Sequence, residues 1–137
     1  MKGCAIFFGS IAVGLVIGLI VIAVLWEITG NEKVSGSVGT CVWLISSFII
    51  HAYAGVWFTA RGGFNEVEIA RSKDRFQGKL RTAELRYAIV FSIVSGSMSH
   101  EAGAPWYLIA AVTVPLAMLG GFVGFDIKRR YKRLGLL

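Results

Sequence analysis

Charge is scarce in this chain of 137 residues. Asp, Glu, Lys and Arg together make up 16% of it, against about 25% in ordinary soluble domains. Apolar residues make up 55%, and the mean hydropathy is +0.69. A soluble domain of this size has too small an interior to hide so much apolar surface, whereas a bilayer removes the need to hide it. The composition therefore predicts an integral membrane protein with a single domain, residues 1–137.

Cysteine and histidine are equally rare, with two of each. Two cysteines are too few for a disulfide framework. Neither a Cys-x-x-Cys nor a His-x-x-x-His spacing occurs, so we expect no metal site and no cofactor. The chain lacks a Gly-x-Ser-x-Gly motif, and no acidic residue is placed to orient His51 as a catalytic base. We therefore predict that the protein is not an enzyme and has no catalytic residues.

Four stretches of the chain are apolar enough to form helices across a membrane. They occupy residues 4–27, 39–60, 84–100 and 105–126. The third is the shortest in its uncharged part, and we expect it to span with Arg86 reaching back to the surface. The residues from Ser35 to Gly39 resemble a turn before the second span. Pro115 predicts a kink in the fourth, since it frees a backbone carbonyl.

Basic residues concentrate in two places along the chain. Seven of the fourteen lie from Arg61 to Arg86 and five from Lys128 to Arg133, whereas the loop of residues 29–37 holds one and the loop 99–104 holds none. Lys and Arg favour the cytoplasmic side of a membrane. The distribution predicts that both termini are cytoplasmic. It also argues against a nucleic-acid partner, because long uncharged runs separate the basic clusters.

The predicted fold is an all-α, integral membrane four-helix bundle with both ends inside. A basic, mostly helical cytoplasmic segment, residues 61–83, joins helices two and three, and residues 127–137 form a cytoplasmic tail. Aromatic residues are predicted to mark both membrane surfaces. The outer belt would contain Trp26, Trp43, Trp106 and Tyr107.

One ionisable residue, His51, lies well inside a predicted span. Ionisable residues inside a membrane are functional candidates, and we predict an intramembrane polar site made of His51, Ser47, Ser92, Ser95 and Ser99. Two interpretations remain open. Neutral His51 hydrogen-bonds to another helix, or His51 and the serines line a path for proton-linked transport.

Small residues recur every four positions on two predicted spans. They are Ser10, Gly14 and Gly18 on the first span and Thr113, Ala117 and Gly121 on the fourth. Small side chains let helix backbones approach closely. These faces predict either packing of helix one on helix four within the monomer or docking onto a partner or a second copy.

The basic cluster directly after the fourth span is a candidate for binding lipid headgroups. It consists of Lys128, Arg129, Arg130, Lys132 and Arg133. Each such cation near a membrane surface attracts anionic lipid by about 1 kcal/mol. The alternative is that the cluster only fixes the topology.

A basic step leads into the third predicted span. Arg75-Phe76 is followed by Arg81-Thr82-Ala83-Glu84-Leu85-Arg86, which runs into Tyr87-Ala88-Ile89-Val90. These residues resemble a family of small bacterial inner-membrane proteins, in which a Phe-containing basic loop with an Arg-Thr/Ser-x-Glu-x-Arg-like step precedes the third of four helices. The resemblance covers part of the chain. It implies a four-helix layout and the bacterial inner membrane, but no mechanism.

The predicted function is helix–helix docking onto another membrane protein. One form is immunity against a membrane-inserting toxin, and another is an accessory or assembly subunit of a membrane complex. A small oligomeric proton-linked transporter that uses His51 is the rival. Small multidrug-type carriers have a similar layout but depend on an acidic residue deep in helix one, where this chain has only Glu27 at the end of the span.

Overall fold

The computed structural model describes residues 2–62 and 77–135, and these are helical almost throughout. Four long helices follow one another: α1 (Lys2–Thr29), α2 (Glu32–Ala60), α3 (Ala83–Glu101) and α4 (Trp106–Arg133). A short helical stretch, residues 77–81, precedes α3. No strand occurs in these two described ranges. The predicted all-α class is confirmed.

Three of the helices, α1, α2 and α4, are long and apolar enough to cross a membrane. Much of their apolar surface is uncovered; Leu19 and Ile20 of α1, for example, are 55% and 58% exposed. Surfaces of this kind are typical of contact with lipid. The prediction of a membrane protein with transmembrane helices is therefore confirmed in its general form. Helix α3 is less apolar, since its 19 residues include the charged Glu84, Arg86 and Glu101.

Helices α1 and α2 form an antiparallel hairpin with a connection of two residues. Gly30 has a φ of +60°, a left-handed conformation that glycine adopts at little cost. Asn31 then caps α2, because its side chain accepts a hydrogen bond from the backbone nitrogen of Val34 at 3.2 Å. The prediction of a turn from Ser35 to Gly39 is wrong, since α2 already begins at Glu32.

The small residues at the start of α2 serve helix packing. Gly39 is buried, and a Cβ there would lie 3.0 Å from the carbonyl oxygen of Gly18 on α1. A Cβ on Gly18 would in turn lie 2.7 Å from the Cβ of Trp43. The two backbones therefore touch where these glycines face each other. A larger side chain at either position would prevent this close approach.

Trp43 lies in the middle of this hairpin. Its indole nitrogen donates a hydrogen bond to the carbonyl oxygen of Ile11 at 3.3 Å. It follows the first residue of α2, Glu32, by 11 positions, or about 16 Å along the helix. The prediction that Trp43 belongs to the outer aromatic belt is therefore wrong. The early start of α2 is the reason.

Helices α3 and α4 form a second antiparallel hairpin that also depends on glycine. A Cβ on Gly120 would lie 2.5 Å from the carbonyl oxygen of Tyr87, and one on Gly124 would lie 2.6 Å from the Cα of Glu84. Phe91 of α3 is fully buried in this structure. The connection between the helices includes Gly103, whose φ is +76°.

One end of the molecule carries the start of α1 and the ends of α2 and α4, and we call this end the base. The two hairpins share a core there. The opposite end, with both hairpin connections, is the turn end. The shared core consists of Ala52, Val56, Leu80, Val123, Ile127 and Tyr131. Because Ile127 and Tyr131 are buried there, residues 127–133 are the last turns of α4 and not a separate tail.

Helix α1 contacts the rest of the described chain mainly through α2. Its interface with α2 is extensive, as is the interface of α3 with α4, while no comparable interface joins α1 to α4 within the described residues. The interpretation that the small faces of helices one and four pack on each other is therefore wrong. Each face belongs to a helix that packs on its neighbour in the chain.

Substitution of Gly124 by alanine tests the second hairpin. We expect Gly124→Ala to lower the free energy of unfolding by about 1–3 kcal/mol, because the added methyl group forces closely packed backbones apart. Gly121→Ala is the matched control, since a Cβ at Gly121 meets no atom within 4 Å. It should leave stability unchanged or slightly raised, as alanine favours helix. Unfolding of the purified protein in mixed micelles measures both, and equal stabilities would contradict the close packing of α3 on α4 at Gly124.

Candidate functional site

A polar cluster at the base joins α2 to α4. The Tyr53 hydroxyl donates a hydrogen bond to Oδ2 of Asp126 at 2.8 Å, and Nε of Arg130 donates to the same oxygen at 2.8 Å. The Arg130 guanidinium also lies 5.3 Å from the centroid of the Tyr53 ring, within the range of a cation–π interaction. Tyr53, Asp126 and Arg130 therefore form one bonded group, which we call the base cluster.

Sequence reasoning missed the base cluster. Arg130 follows Asp126 by four positions, the spacing at which opposite charges pair along a helix, and this pattern was visible. Nothing in the sequence indicated that Tyr53 reaches the same carboxylate, because the contact depends on how the second hairpin packs against α2.

Two of the basic residues after Asp126 form ion pairs and the others do not, among the described residues. Arg130 pairs with Asp126, and Nζ of Lys128 lies 3.3 Å from Oε1 of Glu84. Both pairs are partly exposed, and such pairs contribute at most about 1 kcal/mol. The remaining cations of the cluster form no ion pair with any described residue. They are Arg129, Lys132 and Arg133, all of them exposed.

A cavity of about 440 Å³ lies at the base between the two hairpins, and we call it the base cavity. All four helices and the stretch 77–81 contribute to its wall. Its polar and aromatic lining consists of His51, Lys79, Arg86, Tyr87 and Tyr131. Apolar side chains, among them Ile6 and Ile127, complete the wall.

His51 lines the base cavity and is exposed. Its ring meets Phe7 of α1 edge to face, with centroids 5.7 Å apart. In residues 2–62 and 77–135, no group hydrogen-bonds to its imidazole. These ranges also hold no cluster of three or more His, Cys, Asp and Glu residues suited to a metal ion. His51 therefore presents a polar ring at the cavity without a polar partner among the described side chains.

The structure does not bring the predicted polar residues together around His51. Ser47 is buried against Gly14 and donates a hydrogen bond to the carbonyl of Trp43 at 2.8 Å. The hydroxyls of Ser92 and Ser95 bond carbonyls of their own helix in the same way, as serine does in helices. None of the four predicted serines lines the base cavity, so the proposed path of His51 and serines for transport has no support in this arrangement.

The second large opening lies between the hairpins towards the turn end. This turn-end groove has a volume of about 590 Å³. From α2 it is lined by the residues Val34, Val38, Cys41, Ile45 and Ile49, with Ser37, Val42 and Ser46 beside them. The facing wall includes Ser99 of α3 and a stripe on α4 formed by Leu108, Val112 and Leu116. The halves of α2 and α4 nearest the turn end thus face each other across open space.

The small residues predicted as interfaces have different surroundings. On α1, Ser10, Gly14 and Gly18 are buried, the two glycines directly against α2. On α4, Thr113 and Ala117 are half-buried. The Thr113 hydroxyl has no hydrogen-bond partner among the described residues and lies 3.6 Å from the Cβ position of Gly96.

Removal of one hydroxyl tests the base cluster. We expect Tyr53→Phe to lower the free energy of unfolding by about 1–2 kcal/mol, because Asp126 loses a charge-assisted hydrogen bond in a partly buried position. Tyr107→Phe is the control, since Tyr107 is 58% exposed and its hydroxyl bonds to no described group. Chemical unfolding in mixed micelles compares the two. A loss of the same size in both variants would show that the hydroxyl of Tyr53 has no special role.

Comparison of the chain with protein-family models, with curated proteins and with solved structures finds no match. The function therefore has to be inferred from the geometry of the base cluster, the base cavity and the turn-end groove.

Proposed function

We propose that this chain is a non-enzymatic protein of the bacterial inner membrane that binds a transmembrane helix of another membrane protein in its turn-end groove. The groove is the observation that supports this proposal most directly. It is about 590 Å³ in volume and lies within the apolar length of α2 and α4. Immunity against a membrane-inserting toxin and assistance in the assembly of a membrane complex are two forms that such binding takes.

The side chains along the groove follow the spacing of a helix interface. On α2 the stripe Val34, Val38, Cys41 and Ile45 has steps of four, three and four residues. Steps of this kind keep one face towards a partner helix over several turns. On α4 the lining residues Leu108, Val112 and Leu116 are four apart. Two such stripes line the groove; Val38, Leu108 and Val112 keep exposed surface there, whereas Ile45 is buried.

The composition of the groove favours a protein helix over lipid chains. The surface of α1 that faces away from α2 is made of large apolar residues such as Val16 and Ile20. The groove instead includes the small or polar residues Ser37, Cys41, Ser46, Ser99, Ala102 and Ala104. In membranes, small and hydroxyl side chains are typical of helix–helix contacts, because they allow close approach and interhelical hydrogen bonds.

The faces predicted for docking from the sequence are less suited to this role. Gly14 and Gly18 of α1 already contact α2, so a partner helix would have to displace α2 to reach them. On α4, Thr113 and Ala117 are half-buried, and only Gly121 of the predicted face has open space around it. The groove offers a binding surface without such a cost.

We further propose that α3 also crosses the membrane and that the base faces the cytoplasm. Ten of the eleven Lys and Arg residues within 2–62 and 77–135 lie at the base, while Lys33 lies at the turn end. Lys and Arg concentrate on the cytoplasmic side of inner-membrane proteins. Helix α3 has 19 residues, a length of about 28 Å, which is close to the thickness of the hydrocarbon core.

Photo-crosslinking from α4 tests the docking surface. A photoreactive amino acid in place of Val112, in the groove, should give a discrete cross-link to a membrane protein in living cells. Val114 is the matched control, because it lies on the same helix two residues further on, does not line the groove and is similarly exposed, 58% against 43%. Position 114 should cross-link only lipid.

The cross-linked products distinguish the possible partners. A cross-link between this chain and a different protein supports the proposal, and identification of that protein by mass spectrometry separates a toxin from a subunit of a complex. A product of twice the mass of this chain would show that the groove binds a second copy. Equal cross-linking at positions 112 and 114, or lipid adducts at both, would contradict docking in the groove.

Cysteine labelling tests the orientation. In a variant without Cys4 and Cys41, single cysteines replace Glu101 at the turn end or Leu134 at the base, both exposed. A membrane-impermeant maleimide added to spheroplasts should modify position 101 at once and position 134 only after the membrane is opened. The reverse order would show that the base faces outwards, and simultaneous modification of both would show that the two positions lie on one side.

A further inference from the structure

The cations of the base cavity have no carboxylate partner among the described residues. Only five acidic residues occur within 2–62 and 77–135, and three of them, Glu27, Glu32 and Glu101, lie at the turn end. The two at the base are already paired, Glu84 with Lys128 and Asp126 with Arg130. Lys79 and Arg86, which line the cavity, form no ion pair with any of them, and no carboxylate lines the cavity.

The same cavity contains an imidazole without a hydrogen-bond partner in the described chain. His51 lies nine residues before the end of α2, about 14 Å along the helix, in a segment apolar enough to lie in the membrane. A polar group at such depth requires a partner, because lipid tails offer none. Two cationic residues and an imidazole are therefore among the residues that line a space of about 440 Å³. This combination favours an anion that accepts several hydrogen bonds.

The walls of the cavity distinguish between a soluble anion and a lipid. Ile6, Leu80 and Ile127 form apolar surface within the cavity, and Phe7, beside His51, is 49% exposed. Apolar surface next to a cationic mouth suits a molecule that has a charged head and an apolar chain. The cavity lies at the base, where the ends of α2 and α4 and the start of α3 carry their charges. This is the level at which headgroups lie if these helices span the bilayer.

We propose that the base cavity binds the phosphate group of an anionic phospholipid, with Lys79 and Arg86 as its charge partners and His51 as a hydrogen-bond donor. The acyl chains then lie along the apolar wall and the exposed side of Phe7. This site differs from the basic cluster after Asp126, because Lys128 and Arg130 are engaged by carboxylates and none of that cluster lines the cavity.

The site is independent of the turn-end groove. The residues that line the two openings do not overlap. Lipid binding at the base therefore remains testable whether or not a partner helix binds in the groove.

Removal of the two cations tests the proposal. Purified full-length protein is stripped of lipid and titrated with phosphatidylglycerol in detergent, and native mass spectrometry counts the lipid bound. We expect one tightly held lipid per chain. Lys79→Gln combined with Arg86→Gln should weaken its binding about 25-fold, because each Lys or Arg near a headgroup contributes about a factor of five.

A double variant of equal charge change is the control. Arg61→Gln combined with Arg81→Gln removes two exposed cations from the base that do not line the cavity. Its affinity should stay within about twofold of the original protein, since binding in a pocket is local. An equal loss in both double variants would overturn the proposal, because the attraction would then be a general effect of charge. Absence of a tightly held lipid in the unmodified protein would also overturn it.

Substitution of His51 separates hydrogen bonding from packing. His51→Leu should weaken phosphatidylglycerol binding at least about fivefold, whereas His51→Gln, which keeps a donor, should retain most of it. Equal affinity of the leucine variant and the unmodified protein would remove His51 from the site. Unfolding midpoints of all variants in lipid-free detergent confirm that the fold is intact, since the substituted residues are exposed.

Competition experiments identify the source of the phosphate. Inorganic phosphate and glycerol 3-phosphate, at millimolar concentration, should not displace the bound lipid, because they lack chains for the apolar wall. Displacement by either would show a site for soluble phosphate and overturn the assignment to lipid. Phosphatidylcholine should compete weakly, because its choline cation is repelled by Lys79 and Arg86. Equal binding of phosphatidylcholine would contradict the role given to these two residues.

Discussion

Close approach of helix backbones at glycine is the constraint on which the rest of this structure depends. Between apolar helices in a bilayer, burial of apolar surface contributes little, because lipid tails are as apolar as the side chains. Attraction must come from van der Waals contact at short range. Gly18 and Gly39 provide this contact in the first hairpin, and Gly120 and Gly124 provide it in the second. These four glycines therefore serve packing within the hairpins.

The joint between the hairpins rests on a different interaction. Here α2 contributes Ala52 and Val56 to a compact apolar core, and Tyr53 beside them binds Asp126. Both contacts lie at the base. Towards the turn end the hairpins have no equivalent glycine pair between them, and the groove occupies the space. The turn-end groove therefore lies where the close packing between the two hairpins ends.

The sequence was sufficient to predict the helices, but it did not show which helices pack on each other. Uncharged runs predicted all four helices, and three of these are long and apolar enough to cross a membrane. The early start of α2 was missed, since Ser35 and Gly39 resemble a turn in a soluble protein but are contact residues here. The periodic small residues were recognised, yet their partner helix was not, because spacing shows a face and not what it meets. Tyr53 was missed for the same reason, as its bond to Asp126 joins residues 73 positions apart.

The distribution of carboxylates at the base explains why the cavity and the basic cluster differ. Glu84 and Asp126 are the two carboxylates among the described residues there, and each is bound by a cation from the last turns of α4. Those turns are part of the fold, since their residues Ile127 and Tyr131 are buried in the core that the two hairpins share. The carboxylates are therefore engaged by residues whose position is fixed by packing. Lys79 and Arg86 line the base cavity instead, and no described carboxylate remains to pair with them. Cations that no described carboxylate neutralises at a membrane surface are available to lipid.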